Sequence, residues 1–156
     1  MAQAVYSLIY RSYARPPWIG ERTLNDIARE SNTFNASEGI SGMLIFSDGV
    51  FIQVLEGHTV TILELTAKIA ADRRNEKLRV LWHGNVDGRR FGQWAMGCFD
   101  FSDAARMAAP VPAEIFDRVG DDMHWTDENT EDLIRFYQSN QIEGMEPIFT
   151  RMRRLT

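Results

Sequence analysis

The hydrophobic pattern is most continuous over residues 50–57, VFIQVLEG, which predict a short strand between two turn signals. Apolar side chains lie on both faces of this strand, which is typical of a strand covered on both sides. Gln53 interrupts the pattern on the same face as Phe51. An amide left unpaired in a core costs about 1–3 kcal/mol. Gln53 therefore needs a partner, which can be backbone or water in an ordinary core, another side chain, or a ligand.

Shorter patterns predict the neighbouring elements. Runs rich in β-branched and aromatic residues predict strands at residues 5–10, 40–46, 78–82 and 96–101, with a polar loop at 85–90. Apolar residues at helical spacing predict helices over residues 21–34 and from about 59 to 72. The second helix has an apolar face lined by Val60, Leu63, Ala67 and Ala70 and broadened by Ile62, Leu65 and Ile69.

The order β-α-β-β-α-β-β predicts an α+β fold of the ferredoxin-like type, with a mixed five-stranded sheet and two helices on one face. In this topology we expect the first and third strands to lie side by side and parallel at the centre of the sheet. Tyr10 and Gln53 then lie on neighbouring strands. A shift of one residue in the register would put them on opposite faces.

The composition changes after Ser102. A linker with two prolines at residues 107–112 precedes a short predicted helix at 113–119 and a longer one at 127–141. We expect these helices to cover the face of the sheet that the first two leave bare, with Leu133, Phe136 and Tyr137 as an apolar patch. The tail after Pro147 is predicted to be a solvated end, with a docking segment as the alternative. The chain divides into a first domain, 1–102, and a helical extension, 103–156.

Composition narrows the class of protein. The net charge of −5 argues weakly against a nucleic-acid binder. No apolar run is long enough to span a bilayer, and the first residues lack the pattern of a signal peptide. A single cysteine fits a reducing compartment, so we expect a cytoplasmic protein. Three scattered histidines and that cysteine have no metal-ligand spacing.

Four separated segments carry a resemblance to a known family. They are Tyr10-Arg11-Ser12; Phe34-Asn35-Ala36 with Gly39-Ile40-Ser41-Gly42; Phe51-Ile52-Gln53-Val54-Leu55-Glu56-Gly57; and Asp72-Arg73-Arg74 followed by Phe91, Trp94 and Met96. Their order and spacing resemble those of the BLUF domains, which are blue-light sensors that use flavin. The resemblance covers roughly residues 5–102.

The resemblance implies that a flavin lies between the two helices against the sheet, with Tyr10 and Gln53 as its photoactive pair. In the mechanism of the family, the excited flavin takes an electron and a proton from the tyrosine. The pair then recombines with the glutamine amide rearranged, by rotation, tautomerisation or both, and the absorption shifts to the red. A phenol with a pKa of about 10 should hold its proton in the dark. Outside this resemblance, Tyr10 would be an ordinary aromatic residue at a strand end.

The resemblance also implies which residues hold the flavin. Asn35 would pair with the imide edge of the ring, although it could instead cap the first helix. Arg74 would reach the C2 carbonyl side, and Asp72 would either contact the flavin tail or pair with a neighbouring arginine. The remaining expected contacts are apolar, from Ile27, Ile69 and Phe51.

Trp94 and Met96 match a segment that transmits the change at Gln53 outward in the family, although both residues could simply pack in the core. We favour Met96 as the transmitting side chain because an unbranched thioether repacks easily.

The expected function is therefore that of a blue-light receptor without catalytic turnover. The length of the chain predicts no attached effector domain. The predicted output surface is residues 107–141, acting on a separate signalling protein, and we expect a homo-oligomer. FAD is the expected flavin, with FMN or riboflavin as alternatives. Two other classes stay open, a small acylphosphatase-like enzyme and an interaction module without a ligand.

Overall fold

The computed structural model of the chain describes residues 4–15, 21–47, 49–91, 97–101, 125–139 and 150–152. Nine elements follow one another in these segments: β1 (Val5–Ala14), α1 (Glu21–Ser37), β2 (Ser41–Ser47), β3 (Val50–Gly57), α2 (Thr59–Ala71), β4 (Asn75–Val86), β5 (Gly97–Phe101), α3 (Asp127–Ser139) and β6 (Thr150–Met152). The α+β, ferredoxin-like fold predicted from the sequence is confirmed. Strand β4 continues to Val86, so part of the predicted 85–90 loop belongs to a strand.

The strands form one sheet in the order β4-β1-β3-β2-β5-β6. Strand β1 runs antiparallel to β3, so the predicted parallel pairing was wrong. The reason is the tight hairpin between β2 and β3, whose strands are antiparallel. The crossover through α1 makes β1 and β2 parallel, and β3 enters the sheet between them. It therefore runs against both neighbours.

The sheet has a sixth strand that the sequence did not predict. Residues Thr150–Met152, expected to be part of a solvated end, pair in parallel with β5. Strand β5 itself pairs in parallel with β2. An outer strand presents unpaired backbone N–H and C=O groups, and β6 satisfies those of β5.

Two apolar clusters lie on opposite faces of the sheet. Helices α1 and α2 cover one face, which we call the front, with Leu24, Ala28 and Ile62 buried against the sheet. Helix α3 covers the other face, the back, through Leu133 and Ile134. The predicted cover of the back face is therefore present in α3. The short helix predicted at 113–119 lies outside the described residues, as do the side chains at 136 and 137.

Helix α2 buries only part of its predicted apolar face. Ile62 is fully buried, and Leu65 and Ile69 are partly buried against the front cluster. In contrast, Val60 and Leu63 are 56% and 48% exposed. Ala67 and Ala70 are exposed as well. The helix is apolar on most of its circumference, so periodicity alone does not decide which side faces the sheet.

Candidate functional site

A phenol and an amide meet on the front face at the centre of the sheet. Tyr10 on β1 and Gln53 on β3 are directly opposite residues in the antiparallel register. The Tyr10 hydroxyl donates a hydrogen bond of 2.5 Å to Oε1 of Gln53. Both side chains are only 3% exposed. Because Oε1 accepts from the phenol, the amide NH₂ group of Gln53 points away from that bond.

Burial raises the pKa of the Tyr10 phenol well above its usual value, and the negative charge of Asp72 raises it further. Loss of water disfavours the charged phenolate, and a nearby carboxylate disfavours it again. Tyr10 is therefore a neutral hydrogen-bond donor throughout the physiological pH range.

The pair forms part of the floor of a cleft between α1 and α2. Its empty volume is about 440 Å³, counted with its open mouth. The lining residues are Tyr10, Ser12, Ile27, Ser31, Leu44, Phe51, Gln53, Ile69, Asp72, Arg74 and Asn75. Helix α1 provides one wall with Ile27 and helix α2 the other with Ile69. The cleft is thus apolar at its sides and polar at its floor and mouth.

Two buried polar atoms of this cleft have no hydrogen-bond partner in the described protein, Oγ of Ser12 and Oδ1 of Asn75. The amide nitrogen of Asn75 is already engaged, since it donates to the carbonyls of Ile69 and Asp72 at 2.8 and 2.9 Å. Buried polar groups are normally paired, so unpaired ones that line a cleft indicate a polar ligand. Apolar walls with a few polar atoms fit a flat ring that has carbonyl and N–H groups at its edge.

The mouth of the cleft is held by an ion-pair network. Arg74 contacts Asp72 at 2.7 Å and Glu30 of α1 at 2.8 Å. The hydrogen bond from Arg74 holds the pKa of Asp72 below its usual range, and the same bond raises the pKa of the guanidinium. The pairing of Asp72 with a neighbouring arginine, one of two expected roles, is present. Arg74 links α1 to the connection between α2 and β4.

The other expected site residues are placed differently. Asn35 is 1% exposed in the last turn of α1, and its backbone carbonyl accepts from the N–H of Ile40 at 2.8 Å. It is not among the residues that line the cleft. Phe34 packs at the edge of the front cluster under the ammonium group of Lys68. Trp94 and Met96 lie outside the described residues.

Sequence reasoning missed Ser12, Ser31, Leu44 and Asn75 as cleft residues. Two of these carried a usable signal. Ser12 is two residues beyond Tyr10 on the same strand and so shares its face. Asn75 directly follows the segment that ends in Arg74.

A larger cavity, with an empty volume of about 890 Å³, lies on the back face between the sheet and α3. It is lined by neither Tyr10 nor Gln53, and two of its charged residues, Arg90 and Glu131, pair with each other. We therefore place the site in the smaller front cleft.

Within the described part of the chain, no three or more of the His, Cys, Asp and Glu side chains are grouped to hold a metal ion. Among the same residues, no helix has the length and apolar character needed to cross a membrane.

Comparison with known proteins gives the family. The BLUF family profile, "Sensors of blue-light using FAD", matches residues 5–97. Photoactivated adenylate cyclase subunit beta of Euglena gracilis is 38% identical over 90 residues, which are 57% of this chain and 10% of that protein. The dark-state structure of BlrB, a BLUF protein, superposes with a TM-score of 0.69 at 26% identity, covering 89% of this chain and 99% of that one.

A structure of Klebsiella pneumoniae BlrP1 with FMN and cyclic diGMP superposes with a TM-score of 0.58 at 30% identity. It covers 62% of this chain and 26% of that one. The chain thus spans only a small part of the cyclase subunit and about a quarter of BlrP1. Because the family profile covers more than half of the sequence, as the resemblance predicted, the chain belongs to the BLUF family of blue-light sensors that use flavin.

Proposed function

We propose that this chain is a photoreceptor that works through the Tyr10–Gln53 pair, with the flavin bound in the front cleft. The observation that carries the proposal is the hydrogen bond from the Tyr10 hydroxyl to the Gln53 amide oxygen. When bound, the flavin supplies blue-light absorption and an excited state that accepts an electron.

Tyr10 is the electron and proton donor in this proposal. In the dark, its raised pKa keeps the phenol protonated, and Gln53 accepts that proton in a hydrogen bond. Once the phenol has lost its proton, Gln53 loses the hydrogen bond that Tyr10 donates to its amide oxygen. The amide then re-pairs by presenting its other end or its other tautomer, because a primary amide carries both donors and an acceptor. Return of the electron and the proton to Tyr10 restores the phenol and leaves Gln53 in a new arrangement.

The cofactor is held by residues of three kinds. Ile27, Ile69 and Phe51 form apolar contacts with the ring and Arg74 provides a polar one, as the family resemblance implies. The resemblance also assigns a polar contact to Asn35, which does not line the front cleft. To these we add Ser12 and Asn75, whose unpaired oxygens line the cleft. Asp72 holds Arg74 in place rather than binding the ring. We propose FAD as the flavin, with FMN or riboflavin as alternatives.

The output of the receptor is a change in protein contacts without catalytic turnover. We propose that residues 1–102 form the sensor and residues 103–156 the output extension, which acts on a separate cytoplasmic signalling protein or on a second copy of the chain. Trp94 and Met96 remain candidates for transmitting the change at Gln53. The position of α3 supports the assignment of the extension as the output element, because α3 packs on the opposite face of the sheet from the cleft.

Tyr10→Phe and Tyr6→Phe form a matched pair for testing this function. Both tyrosines belong to β1 and the front cluster, but the Tyr6 hydroxyl bonds to Nδ1 of His83 at 2.9 Å. Blue light should cause a reversible red shift in the absorption of the flavin-loaded chain and of Tyr6→Phe. The shift should be lost in Tyr10→Phe and in Gln53→Leu, both still yellow. A normal shift in Tyr10→Phe would contradict the proposal.

A further inference from the structure

A buried carboxylate lies on the same strand as Gln53 but on the back face of the sheet. Glu56 of β3 is 1% exposed. It accepts three hydrogen bonds: from the Ser41 hydroxyl at 2.8 Å, the backbone N–H of Arg90 at 2.9 Å and the backbone N–H of Phe91 at 2.7 Å. Charge-assisted bonds to backbone donors are strong and directional. Glu56 therefore fixes the segment after β4 to the central strand.

The segment fixed by Glu56 also contacts helix α3. Nη1 of Arg90 lies 2.7 Å from Oε1 of Glu131 on α3. Its neighbour Phe91 is 2% exposed and belongs to the same back cluster as Leu133 of α3. A continuous chain of contacts thus leads from β3 through Glu56 and Arg90 to α3.

The ion pair is suited to orienting the helix rather than to anchoring it. Arg90 and Glu131 have side chains that are 38% and 55% exposed, and exposed pairs contribute little to stability. Burial of Leu133 and Ile134 keeps α3 on the sheet. A weak contact added to a firmly packed element can shift its average position without detaching it.

We propose that Arg90 is a positioning residue: held by Glu56, it transmits a displacement of β3 to helix α3 through Glu131. The proposal rests on the light reaction above, because Gln53 lies three residues before Glu56 on the same strand. The coupling uses the hydrogen bonds from the backbone N–H groups of Arg90 and Phe91 to Glu56. It gives the output extension a connection to the flavin cleft that is separate from Trp94 and Met96.

The test is amide hydrogen exchange of residues 127–139 in the full flavin-loaded chain, in the dark and under continuous blue light, with the absorption spectrum recorded on the same sample. In the wild type, light should change exchange in α3. Arg90→Gln should raise dark exchange there by about 1.5- to 5-fold, the range for an exposed pair. It should also remove most of the light effect and leave the red shift intact.

Two variants sharpen the test. Arg135→Gln makes the same charge change on α3, where Arg135 pairs with Asp132 of the same helix, and it should keep the light effect. The double variant with Arg90→Glu and Glu131→Arg reverses the pair and should restore the light effect lost in Arg90→Gln.

The outcomes separate the two proposals. A missing red shift contradicts the photoreceptor function itself. A normal red shift with unchanged α3 exchange in the wild type overturns the positioning role alone. The same holds if Arg90→Gln keeps the full light effect.

Discussion

At Tyr10, the requirements of burial and of light chemistry coincide. A proton donor for a nearby excited state must keep its proton in the dark, and the low-polarity cleft and the charge of Asp72 both favour the protonated phenol. Gln53 adds a partner that can reverse its hydrogen-bonding ends. Ser12 and Asn75 contribute unpaired oxygens that line the same cleft.

The raised pKa of Tyr10 predicts a dependence of stability on pH. The folded state binds the phenolic proton more tightly than the unfolded state, whose tyrosine titrates near pH 10. The stabilisation is therefore complete below about pH 10 and is lost as the pH rises through the folded pKa. Above pH 10, the wild type should therefore lose stability relative to Tyr10→Phe. The loss in its free energy of unfolding should be up to about 1.4 kcal/mol per pH unit.

Urea unfolding of both proteins between pH 8 and pH 11 measures this difference. A constant difference over the range would show that Tyr10 titrates at its ordinary pKa in the folded chain.

Among the elements, strand β3 was the most predictable because apolar side chains on both faces mark a central strand. Strand β1 was predicted over residues 5–10 but continues to Ala14. The direction of β3 relative to β1 was not predictable, since it follows from the hairpin with β2 rather than from any residue in β1. Strand β6 is only Thr150–Met152, too short to carry a pattern, and it forms by pairing with β5. The order of the motifs predicted a site between the two helices. The unpaired oxygens of Ser12 and Asn75 could be recognised only in the packed structure.

Helix α2 offers a prediction at this scale, because two adjacent apolar residues differ strongly in burial. Ile62 is fully buried, whereas Leu63 is 48% exposed. Ile62→Ala should lower the free energy of unfolding by about 2–5 kcal/mol through lost burial and a cavity. Leu63→Ala should cost less than about 1 kcal/mol, as is usual for exposed positions. Chemical denaturation of the two variants decides; equal losses would mean that the helix is rotated from the position described.

For the whole molecule, the sheet separates two compartments. The front holds the cleft with Tyr10 and Gln53, and the back holds α3 over a cluster that includes Ile45, Ile52 and Val54. If α3 is the output element, as proposed, a change at Gln53 has to reach it through the sheet, and the strand that carries Gln53 borders both compartments.

Removing residues 110–156 tests how far the sensor depends on its extension. The deletion uncovers the back cluster by removing Trp125, Leu133 and Ile134, all buried. We expect the shortened chain to keep its front cleft and red shift but to aggregate, because a bared apolar sheet face invites association. Light scattering and absorption spectra measure both effects. A stable monomeric fragment would mean that α3 adds little to the core.

Leu133→Ala keeps the chain complete and should cost about 2–5 kcal/mol of unfolding free energy.

The alternation of side chains along β3 has a consequence for how this chain can evolve. Gln53 and Glu56 face opposite compartments because an odd number of steps separates them. Substitutions between them can keep that relation, but gaining or losing one residue would turn both side chains to the same side. A change in the length of this short stretch should therefore be less well tolerated than a change in the identity of the residues within it.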